Sequence, residues 1–305
     1  MLDFTQFIQK LPHINPILHF PSGYLDPVSI VPIDNSDRDQ AILSIVRALL
    51  DSPPSTAGPS RAEEWNNGWL ENLVQYQVTT DVNALIPRYY DKYPYIRYDS
   101  CLWRTGSPNS ELNSVKMLMH YIYERFLCDN KSIVELGCGT GHHLYQLASI
   151  DPSKIYYGLD WSDSSQKIVE LYQKLNPKTT IIGKSIDFFC PPPDDNYIPK
   201  GSALYTFAAL EQISSKHDKI IDFMITSRPK VVVHLEPIEE LLDKDQLIEY
   251  LSIKYFKRRN YLSGFLDALR KRQERGEIKI LHECKTGIGS LYIEGYSLVV
   301  WTTCQ

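Results

Sequence analysis

The segment at residues 131–141, KSIVELGCGTG, restricts the fold more than any other part of the chain. Its first half, SIVEL, predicts a buried strand, and Gly137, Gly139 and Gly141 follow at once. This spacing predicts a tight turn from a strand into a helix, where bare backbone can touch a ligand. We therefore expect a nucleotide or nucleoside site at the end of a strand.

Short β-branched runs alternate with helical patterns through the last two-thirds of the chain, which is typical of a parallel sheet covered by helices. Helices are predicted at 111–127, 142–150, 163–175 and 214–226, and an amphipathic region spans 243–275. Glycines at 287 and 289 predict a hairpin between the last two strands. The strands are predicted at 132–136, 155–159, 179–182, 203–207, 231–235, 277–284 and 291–302. The fold class is thus α/β, a doubly wound, Rossmann-like and mostly parallel sheet with an antiparallel C-terminal strand.

The first 110 residues differ from the rest, because they contain many prolines and no strong strand pattern. We expect residues 1–110 to form a mostly helical N-terminal cap or lid. Residues 111–305 then form the ligand-binding domain.

Composition excludes several functions. The 305 residues carry 37 acidic and 32 basic side chains, so a broad nucleic-acid surface is not expected. Six scattered cysteines lack the spacing of a zinc site or a disulfide framework. Neither a signal sequence nor a run of 18 apolar residues is found, so a soluble, cytoplasmic protein without a membrane segment is expected.

Two details of the glycine loop distinguish between nucleotide folds. The dinucleotide fingerprint G-x-G-x-x-G requires glycine at position 142, where this chain has His142. An acidic residue, Glu135, stands two positions before the first glycine. A nicotinamide-dependent oxidoreductase is therefore disfavoured, although it stays an alternative.

The run from Glu135 to Gly141 resembles the first motif of the class I S-adenosylmethionine-dependent methyltransferases. The resemblance implies that the glycine turn contacts the methionine part of the cofactor and that Glu135 helps to position its amino group. Asp160, after the second strand, is similar to the second motif, and a carboxylate there can accept hydrogen bonds from a ribose diol. The predicted cofactor-binding residues are Glu135, Gly137, Cys138, Gly139, Gly141, His142, Asp160, Trp161, Asp187 and Phe188.

Candidates for the chemistry follow the fourth and fifth strands. His234 is the titratable side chain best suited to act as a base near neutral pH, with a buried core histidine as the alternative. Glu211 and Glu236 stand at strand ends, where they either hold the acceptor or remain unremarkable acids. The fourth strand lacks the N-P-P-Y type of tetrapeptide that the family uses to methylate amino groups, which favours oxygen as the methylated atom. No metal site is expected.

The tyrosine-rich end of the cap supplies the predicted substrate-binding residues Tyr89, Tyr90, Arg97 and Arg104. A lid over the acceptor and an ordinary packing surface both fit such a cluster. The hypothesis is methyl transfer to a small-molecule or glycan-like acceptor, as in the modification of a natural product or a sugar. A cofactor-binding regulatory protein without turnover is the alternative.

Overall fold

A computed structural model describes residues 1–9, 11, 25–51, 55–194 and 196–304. Its strands are β1 (Ile30–Val31), β2 (Tyr95–Tyr98), β3 (Cys101–Thr105), β4 (Ser132–Leu136), β5 (Ile155–Asp160), β6 (Thr180–Ser185), β7 (Ala203–Phe207), β8 (Val231–Glu236), β9 (Ile278–Cys284), β10 (Gly289–Ser290) and β11 (Ser297–Thr303). Its α-helices are α1 (Phe4–Ile8), α2 (Asn35–Leu50), α3 (Ala62–Thr79), α4 (Ser110–Ile122), α5 (His142–Ile150), α6 (Asp163–Leu175), α7 (Asp218–Thr226), α8 (Leu247–Arg259) and α9 (Phe265–Glu274).

A seven-stranded sheet in the order β6-β5-β4-β7-β8-β11-β9 forms the centre of the molecule. The strands from β6 to β8 run parallel, and β11 is antiparallel to both β8 and β9. Every residue of β7 and β8 is buried, as expected for strands with helices on both faces. The predicted fold class is confirmed, with the antiparallel strand lying one position inside the sheet edge.

The predicted hairpin between the last two strands is replaced by a longer excursion. After β9 the chain leaves the main sheet, and β10 pairs with β2 in a second sheet of order β1-β3-β2-β10. The cap therefore contains strands as well as helices, and one of these strands comes from the C-terminal part of the chain. Two-residue strands such as β1 and β10 leave no sequence pattern that could have predicted them.

The helices predicted at 142–150 and 163–175 have those bounds in the structure, as α5 and α6, whereas the one predicted at 214–226 begins at Asp218, as α7. The helix expected over 111–127 is α4 followed by a π-helical turn, Tyr123–Leu127. The amphipathic region divides into α8 and α9, because Asn260 and Gly264 adopt positive φ angles of 54° and 70°. No helix among the described residues is both long and apolar enough to cross a bilayer.

Arg97 is a structural side chain, and its predicted role in substrate binding is wrong. It lies on β2 with no exposed surface, and its guanidinium donates to the carbonyls of Ser290, Leu291 and Ile248 and to the Ser252 hydroxyl. This one side chain joins the cap sheet to α8 and to the segment after β9.

Arg104 does not line the main cleft of the molecule, which corrects its predicted role in substrate binding. Its side chain is 46% exposed on β3 and pairs with Asp37 of α2 at 2.5 Å. Such an exposed ion pair contributes little to stability.

Replacing Arg97 tests the structural role. Arg97→Met leaves buried carbonyls unsatisfied, so we expect the free energy of unfolding to fall by about 3 kcal/mol, measured by urea denaturation. Arg104→Ala is the matched control and should unfold close to the parent. A stable Arg97→Met variant would contradict this role.

Candidate functional site

A partly open cleft lies at the carboxyl ends of β4, β5 and β7. This is where ligands bind in open α/β sheets. Helix α3 of the cap covers it with Trp65 and Trp69, whose rings stack 5.3 Å apart. The cleft is therefore formed jointly by the sheet edge and the cap.

The glycine turn forms the floor of the cleft, and its glycines are required by space as well as by conformation. Gly137 has a φ of 79°, and a Cβ there would stand 2.4 Å from the Cβ of Ala209. Gly139 has a φ of 53°, and a Cβ there would approach the Trp69 ring to 3.0 Å. The predicted residues Gly137, Cys138, Gly139 and His142 all line the cleft. Gly141 does not line it and precedes α5 in a left-handed conformation.

Glu135 is a buried acid in the wall of the cleft. Its Oε1 lies 3.0 Å from Nδ1 of His143, and its Oε2 has no hydrogen-bond partner of good geometry among the described residues. Burial raises the pKa of Glu135 well above its usual range, against a smaller opposing effect of the Tyr205 hydroxyl. A cation placed beside the free oxygen would restore the charged form.

Asp160 ends β5 and holds the neighbouring loops. Its Oδ2 accepts from the Gly139 amide and its Oδ1 from the Ser162 amide, each at 2.9 Å. Burial raises its pKa to about 6, so the carboxylate is charged at neutral pH. A carboxylate offers about four lone-pair sites, so two remain for a ligand. Trp161 follows it and also lines the cleft.

Asp187 and Phe188 separate in the structure. Phe188 lines the cleft together with Ile186 and Phe189. Asp187 is exposed and lies outside the lining, where its Oδ1 accepts from the Phe189 amide. It therefore fixes the turn after β6, and the structure does not support its predicted contact with a ligand.

His234 is a satisfied core residue, so its predicted role as a base is wrong. Its Nε2 accepts from the Trp301 indole at 2.9 Å, and its Nδ1 lies 2.9 Å from the Thr206 hydroxyl. The side chain is fully buried outside the cleft, and burial lowers its pKa to about 3. Neither ring nitrogen is available to a substrate.

Glu236 and Glu211 lie behind the wall of the cleft and do not line it, so neither is a contact residue. Glu236 Oε1 accepts from the amides of Ala209 and Leu210, and burial raises its pKa to about 8. Glu211 accepts from the Gln212 side chain at 2.8 Å, and burial raises its pKa to about 7. Both acids shape the turn after β7, which itself faces the cleft.

The cap tyrosines differ in position. Tyr89 lines the cleft and keeps 47% of its surface exposed. Tyr90 is buried and packs edge-on against the His142 ring at 5.7 Å. The predicted contact with an acceptor therefore remains for Tyr89, while Tyr90 supports the cleft from behind.

Several residues of the site were not predicted from the sequence. They are Trp65, Trp69, His143, Phe207 and Gln212, all of which line the cleft. The spacing of Trp65 and Trp69, four residues apart on one helix face, was an available signal. For His143 the available signal was its position at the start of the helix after the glycine turn, because the first side chains of such a helix lie near the end of the preceding strand.

Helix α3 forms the roof of the cleft, and polar contacts join this roof to both sides of the cleft. Asn66 Oδ1 accepts from the Ser162 hydroxyl at 2.9 Å and from the Ser164 amide at 3.1 Å. On the other side, Gln212 Oε1 accepts from Arg61 at 3.2 Å and from Trp65 at 3.4 Å. No group of three metal-ligating side chains occurs within the residues that the structure describes.

Comparisons with known proteins bear on the fold. No family model and no curated protein matches the chain. It is similar to the solved structure of the cyclase SpnF, at 14% identity and a TM-score of 0.52, over 83% of this chain and 98% of that one. At such identity the likeness shows the fold alone, which is the doubly wound α/β fold that the sequence predicts.

Two further solved structures are similar at lower scores. One is the riboflavin-derivative dimethyltransferase RosA from Streptomyces davawensis, at 13% identity and a TM-score of 0.42, over 80% of this chain and 71% of that one. The other is the N-terminal domain of EvdMO1 with SAH (S-adenosylhomocysteine) bound, at 13% identity and a TM-score of 0.43, over 76% and 97%.

The buried acid behind the cleft makes stability depend on pH. Between its ordinary pKa of 4.5 and about 8, Glu236 is protonated in the folded chain and ionised in the unfolded one. Unfolding then releases a proton, so stability falls as pH rises, by up to about 1.4 kcal/mol per pH unit for this group. Glu236→Gln should flatten this slope in urea titrations from pH 5.5 to 8.5. The exposed control Glu63→Gln should keep the parent slope, and an equally steep Glu236→Gln variant would refute the assignment.

Proposed function

We propose that the chain is an S-adenosylmethionine-dependent methyltransferase. The observation that carries this proposal is the composition of the cleft. A buried acid whose second oxygen lacks a partner of good geometry, a turn that excludes Cβ atoms and a second acid meet there at three strand ends. The first acid suits an ammonium group, the turn suits a chain that contacts the backbone, and the second acid suits a ribose diol.

The residues present fit this cofactor from end to end. Glu135 Oε2 would accept from the amino group, and the amide end of α5 suits the carboxylate. Asp160 would accept from the ribose, with Trp161, Ile186 and Phe188 as apolar walls for the adenine. When bound, the sulfonium supplies an electrophilic methyl group.

The acceptor is proposed to be a small, uncharged molecule with a hydroxyl group. Beyond the cofactor residues, the cleft is lined by Trp65, Tyr89, Phe207, Gln212 and their neighbours. No Lys or Arg stands among its described lining residues, so phosphates and nucleic acids find no partner there. Aromatic walls with a few polar groups suit a flat molecule or a sugar ring.

Cofactor binding tests the assignment of the two acids. Asp160→Ala should weaken the binding of SAH by about 1–3 kcal/mol in calorimetry, because a hydrogen-bonded carboxylate is lost. Asp163→Ala, an exposed acid three residues away, is the matched control and should bind like the parent. Equal affinity of Asp160→Ala and the parent would show that the ribose lies elsewhere, and preference for a nicotinamide nucleotide would refute the cofactor.

Methyl transfer is the direct test of the function. The protein would be incubated with methyl-labelled S-adenosylmethionine and a panel of uncharged phenols and glycosides, and SAH and labelled product would be quantified together. We expect equimolar SAH and methylated hydroxyl product, lost when the cofactor is omitted. Tight cofactor binding without SAH release across amine, thiol and hydroxyl acceptors would indicate a non-transferring protein instead.

A further inference from the structure

The pair formed by Glu135 and His143 has the geometry of a histidine oriented by a carboxylate. Nδ1 of His143 lies 3.0 Å from Glu135 Oε1, while its Nε2 is buried without a partner among the described residues. The ring packs on Phe207, the last residue of β7, at 4.4 Å. His143 thus stands between two strand ends in the lining of the cleft.

The core histidine of the same chain provides a comparison. His234 has partners for both ring nitrogens and lies outside the cleft. His143 has one nitrogen held by an acid, and the opposite nitrogen is left for a group that the protein does not supply. A buried ring nitrogen without a partner is costly, so an acceptor hydroxyl bound there would be stabilised.

We propose that His143 is the general base of methyl transfer, with Glu135 as its positioning residue. This inference rests on the proposed function. In the step, the acceptor oxygen bonds to the methyl carbon, the carbon–sulfur bond breaks with its electron pair passing to sulfur, and the hydroxyl proton moves to Nε2 of His143. Solvent receives that proton when the product leaves.

The two oxygens of Glu135 link the base to the cofactor. While Glu135 is neutral, burial lowers the pKa of His143 to about 3, which makes it a poor base. An ammonium beside Oε2 favours the Glu135 carboxylate, which then accepts from Nδ1–H and raises the pKa of His143. Cofactor binding therefore raises the pKa of His143 so that it can act as the base. The other titratable groups that face this pair are Tyr89, Cys138, His142, Tyr145, Asp160 and Tyr205.

Kinetics of His143→Ala test the catalytic role. With a phenol that the parent methylates, we expect kcat to fall 10²- to 10⁴-fold, the usual contribution of a general base, while SAH affinity stays within threefold. The residual rate should rise in proportion to hydroxide, because the acceptor must then ionise unaided. His282→Ala, on β9, is the control and should keep the parent rate and pH profile. Turnover of His143→Ala within threefold of the parent, or equal loss of SAH binding, would overturn the proposal.

A second measurement does not depend on an acceptor. In the SAH complex, imidazole ¹⁵N shifts of His143 should report a protonated Nδ1 and an unprotonated Nε2. Glu135→Gln should lower the fraction with a protonated Nδ1, because a carboxamide can donate to Nδ1 as well as accept from it. A protonated Nε2 in the parent complex would refute the base while leaving the methyltransferase proposal intact. Absence of methyl transfer by the parent to every acceptor would instead refute the proposed function, and this inference with it.

Discussion

The turn from β4 into α5 has no room for a side chain at Gly137 or Gly139, and the site is arranged around it. Gly137 touches Ala209 of the turn after β7, and Gly139 touches Trp69 of the roof, so both neighbours press directly on the backbone. The amides of Gly137 and Cys138 donate to the Leu159 carbonyl, which fastens the loop to β5. Any larger residue here would separate the three strand ends that form the cleft.

Buried acids around this turn fall into two groups. Glu236 uses one oxygen to bind two backbone amides and lies behind the wall, so its raised pKa is a consequence of structural burial. The second oxygen of each acid lacks a partner of good geometry among the described residues, but only Glu135 lines the cleft, so its raised pKa is one that a bound cation can reverse. The same desolvation therefore has different consequences, depending on whether the second oxygen can reach a ligand.

Much of the fold and half of the site could be predicted because their signals are local. Each signal lies within a few positions of one strand: the β-branched runs form the strands, the glycine spacing follows the first of them, and the acids at residues 135 and 160 stand at strand ends. Arg97 and His234 were misassigned because their partners, Ser290 and Trp301, are distant in sequence. Titratable side chains near strand ends look alike until the opposite face of the sheet is known.

Helix α3 shows that the cap and the sheet form one site, because both line the cleft. Helix α3 is held at one end of the cleft by Asn66 and at the other by Arg61 and Trp65, and all of these bonds are polar and only partly buried. Arg97 adds buried bonds farther from the site, to the Ser252 hydroxyl of α8 and to the Leu291 carbonyl. Helix α3 also buries Leu73 and Tyr76 in the main hydrophobic core, so its position above the cleft depends on apolar packing as well as on these polar bonds. The cap is thus part of the wall of the site and shares one core with the sheet.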